Sequence, residues 1–227
     1  QKMPGASNVN GTATGASDLV MGLFDYWRST ASGSPVQQRI LYSGTQIYSE
    51  NGGTLTSITT GLESGKMPWF EVMNDDLVIA TTSTVDVPMK WNQTTFANLG
   101  GSPPNFAIHT FHKDRMFAAG VDSNKSRVYY TVSANHENWT GAGSGSFDVA
   151  PDDGDVITGL WSHKDELIIF KGPNRGKIFR MTGSAPTGAD AFALHPFIRG
   201  VGSVNQQSIV MVGDDLVFWD HFGIHSL

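Results

Sequence analysis

The chain has 227 residues, 26 of them Gly and 10 Pro, with 16% charged residues, a formal net charge of −6 and no Cys. That length suffices for one all-β domain with a substantial core. The acidic balance argues against a dedicated nucleic-acid surface, no apolar run reaches the 18 residues of a membrane span, and disulfide and thiolate chemistry are excluded.

Residues 1–17 carry Pro4, Gly5, Gly11 and Gly15 among Ser and Asn and read as irregular, apart from a short strand near 8–10. From Leu19 onward, strand patterns follow one another at short intervals. The first group comprises 20–28, 37–42, 45–49 and 55–59, with Asn51-Gly52-Gly53 as a turn. A second group comprises 69–73, 77–82, 89–92 and 95–99. The third comprises 108–111, 115–119, 127–133 and 146–149, interrupted by a long excursion from Ala134 to Ser146. The fourth comprises 156–163, 167–171, 177–182 and 191–198. A fifth offers only 208–212, 216–219 and 223–226. No 12-residue window carries a helical apolar stripe, so very little helix is expected.

The unit behind these groups is a tight hairpin. Its turn dipeptides are Asn74-Asp75, Lys113-Asp114, Lys164-Asp165 and Gly213-Asp214, and the aliphatic residues Leu77, Met116, Leu167 and Leu216 follow at spacings of 39, 51 and 49. Asp, Asn and Gly suit such turns because they bond locally to the backbone or tolerate positive φ. A hairpin recurring about every 45 residues, with four strands per repeat, is the pattern of a β-propeller. The sequence therefore predicts an all-β propeller of four-stranded antiparallel blades in a single domain. Its repeats fall at 19–62, 66–104, 106–149, 155–199 and 204–227, giving five blades closed by an N-terminal strand that completes the last one. A start without Met and a stop just after Ile224-His-Ser also suit a piece of a longer chain, in which the ring would be larger.

Within this frame several segments recur in a recognisable order: Gly22-Leu-Phe-Asp-Tyr-Trp27, Ser126-Arg-Val-Tyr-Tyr130, Glu137-Asn-Trp139, Asp152-Asp-Gly-Asp-Val-Ile-Thr-Gly-Leu160, Leu167-Ile-Ile-Phe-Lys171 and Arg199-Gly-Val-Gly202. The ordered set, covering the chain from about Gly22 to Leu227, resembles β-propeller proteins of tailed bacteriophages. The resemblance implies a virion structural protein of the tail or portal-proximal machinery, similar to tail hub and nozzle components. It further implies other virion proteins as partners, with copies of the same chain in a ring and a host surface glycan as further candidates. Fold alone does not carry that function.

No catalytic constellation is visible. Asp25, Glu71, Asp86 and Asp220 share no motif of the kind that holds two carboxylates across a sugar, and neither a nucleophile elbow nor a phosphate loop occurs. No cofactor and no metal are expected. The cluster Asp152-Asp153-Gly154-Asp155 lacks the ligand spacing of a calcium loop and reads as a turn, and the seven His show no ligand spacing. Candidate interaction residues are Trp91, Tyr130, His136 and Trp139, with Arg175 and Lys177 in the densest basic stretch. Trp91, Tyr130 and Trp139 are expected to offer flat faces to a sugar or a side chain. His136 and Trp139 lie in the long excursion, the best surface candidate. Trp69, Trp161 and Trp219 are expected to pack blade against blade. A carbohydrate-binding or glycan-cleaving soluble propeller is the alternative reading.

Overall fold

The computed structural model describes residues 19–29 and 35–227. Blade 1 contains β1 (Val20–Arg28), β2 (Val36–Ser43), β3 (Gln46–Asn51) and β4 (Thr54–Thr59). Blade 2 contains β5 (Pro68–Met73), β6 (Asp76–Thr81), β7 (Met89–Trp91) and β8 (Phe96–Asn98). Blade 3 contains β9 (Ile108–His112), β10 (Arg115–Ala119), β11 (Arg127–Tyr130) and β12 (Gly145–Asp148). Blade 4 contains β13 (Val156–His163), β14 (Glu166–Gly172), β15 (Lys177–Thr182) and β16 (Ala193–Arg199). A one-turn 3₁₀ helix, η1 (Gln206–Ser208), leads into blade 5, which holds β17 (Ile209–Val212), β18 (Asp215–Asp220) and β19 (Gly223–Ser226). Every sheet is an antiparallel meander in chain order, so the fold is an all-β, five-bladed propeller.

The turns form as the sequence predicts. Asn74, Asp75, Lys113, Asp114, Lys164 and Asp165 all have φ between 45° and 63°, and Gly213 has φ 62°. Positive φ at both central residues matches the right-handed twist of the strands a hairpin joins.

The first strand of each blade lies innermost. β1 packs on β5, β5 on β9, β9 on β13, and β13 on η1. Near the axis the rings of Trp69 and Trp161 meet edge to face at 6.0 Å, although blade 3 separates their strands in sequence. Gln207 Nε2 reaches from blade 5 to the Pro68 carbonyl of blade 2 at 3.1 Å.

Among the described residues four apolar clusters hold the blades together, one at each successive junction from blade 1 to blade 5. Tyr26, Ile40, Tyr42, Phe70, Leu77 and Ile79 join blades 1 and 2. Met73, Val78, Ala80, Phe106, Met116 and Trp139 join blades 2 and 3. Phe117, Val128, Tyr130, Leu160, Leu167 and Ile169 join blades 3 and 4, and Ile168, Phe170, Ile178, Ile209, Leu216 and Phe218 join blades 4 and 5. A second strand such as Leu167-Ile-Ile-Phe170 is continuously apolar because alternate residues face opposite neighbours.

Among the described residues no strand or hydrogen bond links blade 5 to blade 1, and the expected closing strand near residues 8–10 lies outside them. Trp219 does not pack between blades: it is 59% exposed, because β18 has a neighbour only on its Leu216 and Phe218 face.

Candidate functional site

The excursion between β11 and β12 is folded down onto blade 2. Val132 N–H donates to the Asn138 carbonyl at 2.9 Å, which closes the loop on itself. Arg115 Nη1 donates to the Thr131 and Gly143 carbonyls, both at 2.7 Å, and clamps its two ends. Gly100 N–H donates to Glu137 Oε1 at 2.7 Å. Gly101, at φ 75°, lies so close beneath that a Cβ there would stand 1.6 Å from the Glu137 carbonyl oxygen. Glycine is what allows the loop to dock.

This docking corrects the expected role of the aromatics. Trp139 is 8% exposed, and its ring packs at 5.3 Å from Phe106 in the junction of blades 2 and 3. Trp91 and Tyr130 are each 9% exposed. Trp91 Nε1 donates to Gln38 Oε1 at 3.0 Å, and Tyr130 packs edge-on against Phe192 at 5.1 Å. None of the three presents a face to solvent, since burying an indole or phenol ring between blades removes more apolar area from water than any other side chain there.

His136 is buried beside Asp76 and Glu137, a grouping drawn from two blades that sequence spacing did not reveal. One ligand atom from each of the three lies within 4.8 Å of the others. His136 Nε2 stands 3.3 Å from Asp76 Oδ2. The ammonium of Lys90 sits among them, 2.7 Å from Glu137 Oε2 and 3.8 Å from Asp76 Oδ2. A protein cation therefore already bridges the two carboxylates, and the cluster acts as a polar latch between blades 2 and 3. Burial pushes the His136 pKa below its ordinary value, and the Asp76 charge only partly opposes it. Burial works to raise the Glu137 pKa, but Lys90 and the Gly100 N–H outweigh it and hold the carboxyl below its usual range.

The basic stretch divides in two. Lys171 is fully buried; its ammonium donates to the Val149 and Ala150 carbonyls at 2.7 Å, to Asp153 Oδ1 at 2.8 Å and to Ser126 Oγ at 3.2 Å. Lys177 Nζ donates to Asp153 Oδ2 at 2.7 Å, so its charge is also engaged. Burial opposes ionisation of Asp153, yet the two ammonium groups prevail and bring it down to about 2. Asp155 accepts the Asn174 and Arg175 N–H groups at 2.7 and 3.1 Å, which makes the acidic cluster a turn that ties blade 3 to blade 4. The Arg175 side chain remains exposed. With Arg199 it borders a groove of about 590 Å³ along β15 and β16.

A second concavity, of about 530 Å³, opens where blades 2, 3 and 4 meet. Ser83, Asn105, Asp122 and Lys125 set polar groups into a lining that Ala107, Val121, Val156 and Ile157 make mostly apolar. The Ser83 hydroxyl is occupied structurally, donating to Glu63 Oε2 at 2.7 Å and accepting from the Val85 and Asp86 N–H groups. The four carboxylates considered for glycoside chemistry are distributed over blade 1 (Asp25), blade 2 (Glu71, Asp86) and blade 5 (Asp220).

With the geometry described, the chain can be set beside known proteins. No protein-family model matches it, and no curated protein sequence matches it. Solved structures do. The N-terminal domain of Nup159 superposes with a TM-score of 0.52 at 10% identity, over 89% of this chain and 57% of that one. YjhT superposes with a TM-score of 0.50 at 12% identity, over 93% of this chain and 74% of that one. A third, BBS1N solved in complex with ARL6DN, has a TM-score of 0.49 at 10% identity, over 96% and 64%. This chain thus spans less than two thirds of the Nup159 domain and of BBS1N. The likeness establishes a β-propeller fold and nothing finer.

Proposed function

We propose that the chain is a non-enzymatic structural and protein-interaction module of a phage virion, placed in the tail or portal-proximal machinery. The reading joins the ordered segments from Gly22 to Gly202 to one structural observation. The side chains best suited to chemistry, among them His136, Glu137, Lys171, Asp153 and Ser83, are engaged in contacts within and between blades. Such a molecule acts as a rigid scaffold, and its loops and the exposed Arg175 and Arg199 groove are the surfaces that meet neighbours. An acidic patch on another virion protein is the complement this groove suits.

Cryo-electron microscopy of particles from the source tests the proposal. The expected result is density for this chain at the tail or its collar, in a ring of copies. Particles that lack the chain would overturn it. The cleft between blades 2, 3 and 4 favours a second reading, a glycan-binding propeller, because an apolar wall that carries the Asn105 amide and the charged Asp122 and Lys125 suits a sugar's apolar face and hydroxyl rim. Glycan binding lost on Asn105→Ala or Asp122→Ala would support that reading instead.

A further inference from the structure

The latch between blades 2 and 3 brings two carboxylates, Asp76 and Glu137, to a single ammonium, that of Lys90. Asp76 is the less well served of the two. Its neighbours in the latch are His136 Nε2 at 3.3 Å and Lys90 Nζ at 3.8 Å, the latter beyond hydrogen-bond range. His136 is unsatisfied as well. It is 6% exposed, and neither ring nitrogen has a hydrogen-bond partner, because Nε2 faces Asp76 without the alignment a bond needs. Burying a polar group unpaired is costly, and an ion is one of the few partners able to satisfy it.

The three side chains are set as ligands. Asp76 opens β6 directly after the Asn74-Asp75 turn, and the Asn74 side chain donates to the Ala134 carbonyl at 3.1 Å, which fixes the turn to the excursion. Glu137 is held through Oε1 by the Gly100 N–H, so Oε2 is left to face the cluster. Zinc keeps imidazole and carboxylate ligands at about 2.0–2.2 Å, which places ligand atoms roughly 3–4 Å apart. One atom from each of these residues already lies within 4.8 Å of the others. An all-oxygen set would suit calcium or magnesium; the imidazole turns the preference to zinc.

Lys90 does not bar the ion. Lys171, in the other buried ammonium cluster, is fully buried and donates to four acceptors. The Lys90 ammonium donates to Glu137 Oε2, and its side chain is 25% exposed, so the flexible stem can carry it out to solvent. Two carboxylates and one divalent ion are then neutral together.

We propose that Asp76, His136 and Glu137 form a zinc site that pins the excursion to blade 2, the ion taking the place of the Lys90 ammonium. The inference does not depend on the virion reading.

The test adds zinc chloride to the 227-residue chain after treatment with a chelator, and follows uptake by competition with a chromophoric chelator. One zinc per chain is expected, with a higher melting temperature and slower hydrogen exchange over residues 132–143. Asp76→Asn and Glu137→Gln should each weaken binding by roughly tenfold or more, at least the scale for disturbing the surroundings of a bound zinc. Lys90→Met should bind zinc several-fold more tightly than the parent, since no ammonium competes, whereas a latch without a metal site would only lose an ion pair. Three results would overturn the proposal: no uptake by the parent at zinc well above micromolar; uptake that Asp76→Asn and Glu137→Gln leave unchanged, because the ion then sits on exposed histidines such as His195 and His221; or Lys90→Met binding no more tightly than the parent. Should either carboxylate variant fail to fold, the Lys90→Met comparison decides.

Discussion

Trp139 shows how much one residue contributes once the excursion is docked. Its ring lies in the cluster shared by blades 2 and 3, against Phe106. Trp139→Ala is expected to cost about 3–5 kcal/mol, the range for emptying a buried aromatic site. Urea denaturation measures this, and a loss below about 1 kcal/mol would return the residue to the surface. Glu71 carries a pH dependence. Burial pushes its carboxyl up from 4.5 to about 7, against the Phe111 N–H at 2.9 Å and the Thr110 hydroxyl at 3.3 Å. The folded protein holds that proton more tightly than the unfolded chain. The resulting stabilisation is complete below about pH 4.5 and is lost as pH rises through about 7. Glu71→Gln should therefore flatten the fall in stability between pH 5 and 8, and parallel curves for the two proteins would refute this role. His109 has the opposite sign. Burial lowers it to about 3, so its contribution is present above pH 6.5 and is lost as pH falls toward 3.

At the scale of elements, the turn between blades 3 and 4 is held by a buried cation. Lys171→Met would leave the Val149 and Ala150 carbonyls without their ammonium donor, and Asp153 with the Lys177 ammonium and the Asp155 N–H. Removing one partner of a buried pair costs about 3–5 kcal/mol. The predicted outcome is a loss of that order, read from the denaturant midpoint and accompanied by faster hydrogen exchange in β12 and β14. Gly202 sits against the same strand, where a Cβ would lie 2.0 Å from the Lys171 carbonyl oxygen. Backbone must move to admit Ala there, so Gly202→Ala should also destabilise measurably. The hairpin turns offer the reverse experiment. Lys164 holds φ at 46°, a region that costs a residue with a Cβ about 1 kcal/mol. Lys164→Gly relieves that strain at the cost of a more flexible unfolded chain. A midpoint unchanged or slightly raised is expected, and a marked fall would show that the lysine has a further contact.

At the scale of the molecule, stability is shared among the junctions between successive blades, four among the described residues, and is unequal along the chain. β6, β10 and β14 are buried on both faces, whereas β17 and β18 are covered on one. Amides of blade 5 should exchange with solvent faster than those of blades 2 to 4, because local opening there exposes less apolar surface. Hydrogen-exchange mass spectrometry decides this, and uniform protection would mean that the fifth junction is filled. The sequence by itself determined the five repeats, their hairpins and the propeller. Those features rest on local chemistry, namely turn residues able to hold positive φ and strands read through their alternation. Strand limits shifted by only a few residues, the largest change being β11, which ends at Tyr130 instead of 133 because the chain there turns into the docked excursion. Tertiary structure alone decided where Trp139 and Lys171 reside, that Asp76 and His136 meet from 60 residues apart, and that Trp219 is bare while Ile169 is buried. A strand's sequence specifies two apolar faces; whether each is covered depends on the neighbouring sheet, which no local pattern encodes.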